Sequence, residues 1–187
     1  MSIRNIFKSL ISTSTGRPAS RRRSFRPGVE RLEHRTLPTA GVLDLTFGAD
    51  GLLTTPINGG SDIAQAMALQ ADGKMVVAGY SSNGFNNDIA VVRFHADGSL
   101  DTSFSGDGKL TTALGIGDDV ANGVAVQSDG KIVAAGYSDV GGGNFDFAVV
   151  RYHADGSLDT SFGSGGKLTT AISIGTGNDA AAAVAVQ

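Results

Sequence analysis

The stretch VVRFHADGSLDTSFSGDGKLTTA, Val91 to Ala113, returns 58 residues later as VVRYHADGSLDTSFGSGGKLTTA, Val149 to Ala171. A phrase that long, repeated at such a period, restricts the chain to a solenoid, a propeller or an array. The other signposts recur in the same order. Leu-Asp-x-[Ser/Thr]-Phe stands at Leu43–Phe47, Leu100–Phe104 and Leu158–Phe162. Leu-Thr-Thr stands at Leu53–Thr55, Leu110–Thr112 and Leu168–Thr170. Ala-[Leu/Val]-Gln closes the series at Gln70, Gln127 and Gln187. The chain therefore divides into a tail, residues 1–40, and repeat units at 41–99, 100–157 and 158–187, the last a partial one.

Each unit decodes into four short strands. In the first, apolar and small residues alternate: Ala64, Ala66 and Ala68 on one face, Gln65, Met67 and Leu69 on the other. Ala121, Gly123 and Ala125 repeat the small face, and Ala181, Ala183 and Ala185 repeat it again. Period two predicts a strand, and a face of small residues predicts close approach by a neighbour. The second strand, MVVAGY or IVAAGY, follows the turns Asp72-Gly73 and Asp129-Gly130, a strong hairpin signal. The third is DIAVVRF or DFAVVRY, and the fourth is KLTTA. Near-continuous apolar runs in the second and third strands predict sheets covered on both faces.

Composition agrees. All sixteen acids of residues 41–187 are Asp, and the chain holds 27 Gly. Asp and Gly suit tight turns, whereas a helical body would draw on Glu. Four antiparallel strands per unit, stacked face to face, make an all-β fold: an incomplete β-propeller of four-stranded blades. One blade cannot bury both of its faces, so the same blade is written again to cover it.

The tail differs. It carries nine Lys and Arg against two acids, while residues 41–187 carry six against sixteen. It reads as a disordered basic arm without apolar periodicity. The acidic body argues against nucleic acid. No span approaches the roughly 20 apolar residues of a membrane helix, and Lys8 interrupts the apolar run that a secretory signal needs. Leu32-Glu33-His34-Arg35-Thr36-Leu37, behind an Arg-rich run, resembles a motif that opens many bacterial surface and secreted proteins. That resemblance implies export and an extracellular or cell-surface location.

The motifs of residues 43–187 together resemble the delta-60 repeat, a bacterial β-propeller repeat. These are Asp-Gly-Lys-[Ile/Met]-Val-x-Ala-Gly-Tyr, Asp-[Ile/Phe]-Ala-Val-Val-Arg-[Phe/Tyr], Asp-Gly-Ser-Leu-Asp-x-Ser-Phe and Gly-Lys-Leu-Thr-Thr. The resemblance implies a propeller in an exported or surface context and no known reaction. His95 and His153 depart from it, at positions where such repeats carry Asn. Propellers close with about four to eight blades, so two and a half units predict a partial product, or blades supplied by other copies. Open blade faces and edge strands invite self-association.

Polar residues that recur at the same position in every unit are better read as parts of the blade than as a catalytic centre. Arg93 with Asp101, and Arg151 with Asp159, are expected to form structural ion pairs. Gly73, Gly98, Gly130 and Gly156 are turn glycines. Asp97, Asp101 and Asp107 lack the spacing of a calcium loop, and Gly141–Asp146 matches a calcium-binding nonapeptide only in part. Gly163–Lys167 lacks the Ser or Thr and the helix of a phosphate loop. No cofactor is expected, with Ca²⁺ as a minor alternative. What differs between copies is the loop joining the second and third strands, with Asn83, Phe85, Asn86 and Asn87 in one copy and Asn144 and Phe145 in the next. Loops on a rigid scaffold carry function, so these are candidate contacts for an unknown protein or glycan. The expected function is a non-enzymatic exported or surface module, structural or binding. The alternatives are a fragment of a larger propeller hydrolase or lyase, and a calcium-stabilised surface repeat.

Overall fold

A computed structural model describes residues 41–141, 143–173 and 177–187. The basic tail and its Leu-Glu-x-Arg-x-Leu motif lie outside the described residues. Eight strands form two four-stranded antiparallel sheets in sequence order. The first holds β1 (Asp62–Leu69), β2 (Met75–Ser82), β3 (Asn87–Phe94) and β4 (Lys109–Thr112). The second holds β5 (Asp119–Val126), β6 (Ile132–Asp139), β7 (Phe145–Tyr152) and β8 (Lys167–Thr170).

The units cut at 99/100 and 157/158 do not coincide with these sheets. Each cut falls between the third and fourth strands, so the second and third units each supply the fourth strand of the sheet before them. A repeat in sequence can be cut at any phase, whereas hydrogen bonding fixes where a sheet begins and ends.

The alternation expected in the first strand is interrupted. Ala64 pairs with Gly79 but Ala66 pairs with Ala78, leaving Gln65 as an extra residue in a β-bulge; Asn122 is its equivalent in β5. Paired residues share a face and successive ones alternate. The bulge therefore puts Ala64 and Ala66 on opposite faces, and Ala121 and Gly123 likewise. Past the bulge, Ala66 and Ala68 lie with Ala78 and Val76, while Met67 and Leu69 lie with Val77 and Met75.

This register determines how the blades stack. One face of blade 1 presents Val76, Ala78, Ile89 and Val91. The facing surface of blade 2 presents Ala121, Val124, Ile132, Ala134, Val150 and Tyr152. With Phe104 these form one buried cluster. Crowding at the bulged strands explains the invariant small residue beside them: a Cβ on Gly79 would stand 1.9 Å from the Ile63 carbonyl oxygen, and one on Gly136 1.9 Å from that of Val120.

The third copy of the first strand does not form one. Ala180–Gln187 has no strand pairing, because no described residue supplies a second strand to pair with it. It nevertheless packs where the alternating pattern expects a neighbour. Ala181 N–H donates to the Gly136 carbonyl at 3.0 Å, Asn122 Nδ2 donates to the Ala181 carbonyl at 2.8 Å, and a Cβ on Gly123 would meet Val184 N at 2.9 Å.

Candidate functional site

The Leu-Asp-x-Ser-Phe corner follows β3 and turns the chain back as β4. Arg93 lies on the same face as Ile89 and Val91 and is 4% exposed. Its Nε donates to Asp101 Oδ2 at 2.7 Å and its Nη2 to Ser103 Oγ at 3.1 Å. Its Nη1 crosses to blade 2 and donates to the Ala154 carbonyl at 2.5 Å, and the guanidinium lies 4.8 Å from the centre of the Phe104 ring. Lys74 Nζ adds a second cation 3.1 Å from Asp101 Oδ2. Burial raises the Asp101 carboxyl. Hydrogen bonds from Ser103 and Lys74 and the charge of Arg93 outweigh it, holding the group well below the ordinary carboxylate range.

Blade 2 repeats the corner. Arg151 Nε donates to Asp159 Oδ2 at 2.8 Å, and its guanidinium lies 4.7 Å from the centre of the Phe162 ring. Its side chain is 23% exposed, against 5% for Arg93. Arg93 ties its own corner to the next blade; Arg151 ties its own corner alone among the described residues.

The turn glycines divide into two kinds. Gly73 and Gly130, both at φ 84°, form the hairpin turns entering β2 and β6. Gly98 (φ 85°) and Gly156 (φ 90°), each just ahead of the next corner, are buried under the Phe of the corner before it. A Cβ on Gly98 would come within 3.2 Å of the Phe47 ring, and one on Gly156 within 3.0 Å of the Phe104 ring. Gly48 N–H donates to the Asp97 carbonyl and Ser105 N–H to the Asp155 carbonyl, each at 2.8 Å. Each corner is thus fastened to the turn that leads into the next corner.

The loop candidates are used unequally. Asn83 Oδ1 accepts from the backbone N–H of Phe85 and of Asn86, and its Nδ2 reaches Asn86 Oδ1 and Asp88 Oδ2. Asn86 Nδ2 donates to the Gly117 carbonyl at 2.6 Å, latching the loop onto the segment that enters β5. Asn87 and Phe145 belong to β3 and β7 rather than to the loops, because they pair with Ser82 and Asp139. Asn87 N–H donates to Asp118 Oδ1, and Phe145 packs on Tyr137 with ring centroids 4.8 Å apart. Asn144 is half-buried. Phe85 alone projects outright, 99% exposed. Ile116 and Val140, also exposed, lie on adjoining loops joined by the Asn86–Gly117 contact and by Gly117 N–H donating to the Asp139 carbonyl.

The remaining polar residues are engaged in turns. Oδ1 of Asp97 accepts from the N–H and hydroxyl of Ser99, and Oδ1 of Asp107 accepts from Lys109 N–H. His95 and His153 stand 3.7 Å from Asp101 and Asp159 at equivalent positions. Among the described residues no group of three or more His, Cys, Asp or Glu is arranged to hold a metal ion, and no helix is long and apolar enough to cross a membrane.

Three features went unread in the sequence. Asp62 and Asp119 open β1 and β5, and Asp179 stands at the equivalent place in the third unit; each accepts backbone N–H groups from the segment just after the preceding Leu-Thr-Thr: Ile57, then Leu114 and Gly115, then Ile172 and Ser173. Their recurrence at one place in each unit was the available signal. Tyr152 donates its hydroxyl proton to Thr112 Oγ1 at 2.8 Å across the blade interface, where burial pushes that hydroxyl's pKa up. Ser105 takes φ 54°, where the flanking units have Gly48 and Gly163.

None of the curated proteins compared matches the chain. Residues 70–104 and 127–162, each running from the end of a first strand to the corner Phe, match the family described as "Domain of unknown function (DUF5122) beta-propeller". Sheet order, stacked faces and this match together identify the two sheets as blades of a β-propeller repeat.

Proposed function

We propose that the chain is a non-enzymatic, exported or cell-surface propeller module that offers its loop rim to a protein or glycan ligand. The observation that carries the reading is Phe85. Its ring is exposed to solvent on a loop pinned by Asn83 below and by Asn86 to the neighbouring blade. An aromatic side chain has few rotatable bonds, and on a pinned backbone it loses little conformational freedom on binding. The polar groups of the corners, by contrast, recur in both blades and are engaged with one another.

The test is a glycan array probed with labelled full-length chain, wild type and Phe85→Ser side by side. Selective wild-type binding that Phe85→Ser abolishes supports the glycan form. An unchanged profile removes Phe85 from the function. Export is tested separately, by fusing residues 1–40 to a reporter in a bacterial host. A reporter that stays in the cytoplasm defeats that part of the reading.

A further inference from the structure

Three asparagines of the chain, Asn58, Asn83 and Asn122, are followed by glycine. Asn-Gly is the dipeptide most open to spontaneous attack of the following backbone nitrogen on the side-chain amide carbon, because glycine has no Cβ to obstruct the ring closure. Local sequence is thus equal at the three sites, and the fold distinguishes them. Asn122 is the bulged residue of β5: its Nδ2 donates to the Ala181 carbonyl, and Gly123 lies against the backbone of Ala183 and Val184. Asn58 and Asn83 both lie in exposed loops, and at Gly59 and Gly84 the space where a Cβ would stand is open.

What sets Asn83 apart is its side-chain carbonyl. Oδ1 accepts from the backbone N–H of Phe85 at 2.9 Å and of Asn86 at 3.1 Å. Attack at Cγ gives a tetrahedral intermediate whose negative charge falls on that oxygen. A hydrogen bond to an ionised acceptor is about twice as strong as one to a neutral acceptor. N–H donors already aimed at an oxygen that becomes charged therefore stabilise the transition state more than the ground state. These donors are held from outside the turn: Asn86 Nδ2 donates to the Gly117 carbonyl, and Asn87 N–H to Asp118 Oδ1. The attacking nitrogen is weakly engaged, since Gly84 N–H donates to Ser82 Oγ at 3.3 Å. Asn58 differs: its Nδ2 donates to Ser81 Oγ, and among the described residues no donor reaches its Oδ1.

We infer that Asn83 is a site of self-modification, at which the loop's own backbone promotes loss of the side-chain amide. The Gly84 nitrogen gives up its proton to hydroxide and bonds to Asn83 Cγ. The Cγ–Nδ2 bond breaks, and Nδ2 leaves as ammonia with a proton taken from water. The resulting succinimide takes up one water at either of its two carbonyls, leaving aspartate or isoaspartate at position 83. Water is the only co-reactant, and nothing is oxidised or reduced. The product cannot donate where Nδ2 did, to Asn86 Oδ1 and Asp88 Oδ2. Its new carboxylate is repelled by that of Asp88, so the turn that carries Phe85 is loosened irreversibly. The inference rests on the geometry of this turn and stands whether or not the rim binds a ligand.

The experiment incubates the full-length chain in mildly alkaline buffer, folded and in urea. Proteolysis and tandem mass spectrometry then follow the conversion of amide to acid at each site. The ratio of the folded rate to the rate in urea removes what local sequence contributes. That ratio should exceed one at Asn83, be about tenfold lower at Asn58, as befits donors that act partly in the ground state as well, and be lowest at Asn122. Asn86→Ala releases the latch on Gly117 and should bring Asn83 back to its rate in urea while leaving Asn58 unchanged. If that variant lowers the thermal midpoint, the wild-type ratios decide alone. A ratio at Asn83 no higher than at Asn58, or faster conversion of Asn83 in Asn86→Ala than in wild type, would overturn the inference, since the turn would then shield the amide instead of activating it.

Discussion

Replacing Arg93 by Met tests whether the corner holds the blades together. The substitution keeps much of the stem volume and removes the guanidinium from four partners: Asp101, Ser103, the Ala154 carbonyl and the Phe104 ring. Asp101 stays 2% exposed, and breaking a buried pair from one side costs about 3–5 kcal/mol. Lys74 and Ser103 still satisfy the carboxylate, which points to the low end, about 3 kcal/mol. For a domain of this size that corresponds to a fall of roughly 6–12 °C in the thermal midpoint. Arg151→Met is the control. Arg151 is the more exposed of the two and among the described residues makes no bond to a following blade, so its loss should lower the midpoint by clearly less. Calorimetry on both variants of the full chain is the assay. The pH dependence has a definite sign. The folded-state pKa of Asp101 is depressed, so its contribution is fully present above the unfolded value of about 3.9 and disappears as pH falls through the folded value. The gap between wild type and Arg93→Met should hold from pH 7 to about 4 and narrow only below that. Equal losses at the two arginines, or a gap that closes between pH 7 and 5, would refute the argument.

Two further substitutions probe the repeat's own variation. Ser105→Gly relieves a left-handed backbone position that costs roughly 1–2 kcal/mol for an L residue, partly offset by the greater unfolded-state freedom of Gly. A net gain of about 0.5 kcal/mol should appear as a higher denaturant midpoint; a lower one would show that the Ser side chain matters more than its backbone. Tyr152→Phe removes the hydroxyl that joins the blades through Thr112 and should cost about 1 kcal/mol. Unchanged stability in urea titration would mean that Thr112 finds another partner.

What the sequence disclosed and what it withheld follow from the range of each interaction. AAAAVAVQ at Ala180–Gln187 has the local composition of a helix, and its alignment with the first strands of the other two copies argues for a strand instead; those two copies are strands, whereas Ala180–Gln187 forms neither helix nor strand among the described residues. The eight-residue spacing of Arg93 to Asp101, and of Arg151 to Asp159, is local and repeated, and the structure places each pair within 2.8 Å. The bulges at Gln65 and Asn122 were hidden, because a bulge exists only relative to the partner strand, and the strict alternation of small residues passes through it unmarked. The bond from Arg93 to the Ala154 carbonyl spans 61 residues and ends on a backbone atom, so no residue type advertises it. The rim shows the same limit. Asn83 and Asn86 look like ligand contacts in sequence; the structure shows their amides folding and anchoring the loop, with the Phe85 ring 99% exposed at its tip.

The offset between repeat unit and sheet has a mechanical consequence. Since the second and third units each deliver a corner and a last strand to the sheet before them, neither sheet is encoded by one unit alone. Pulling on the array cannot release one blade intact, because extracting a unit tears an edge strand from its predecessor. The register of duplication thereby couples neighbouring blades into a single unfolding event, and stretching the chain by force should give one large rupture rather than two small ones.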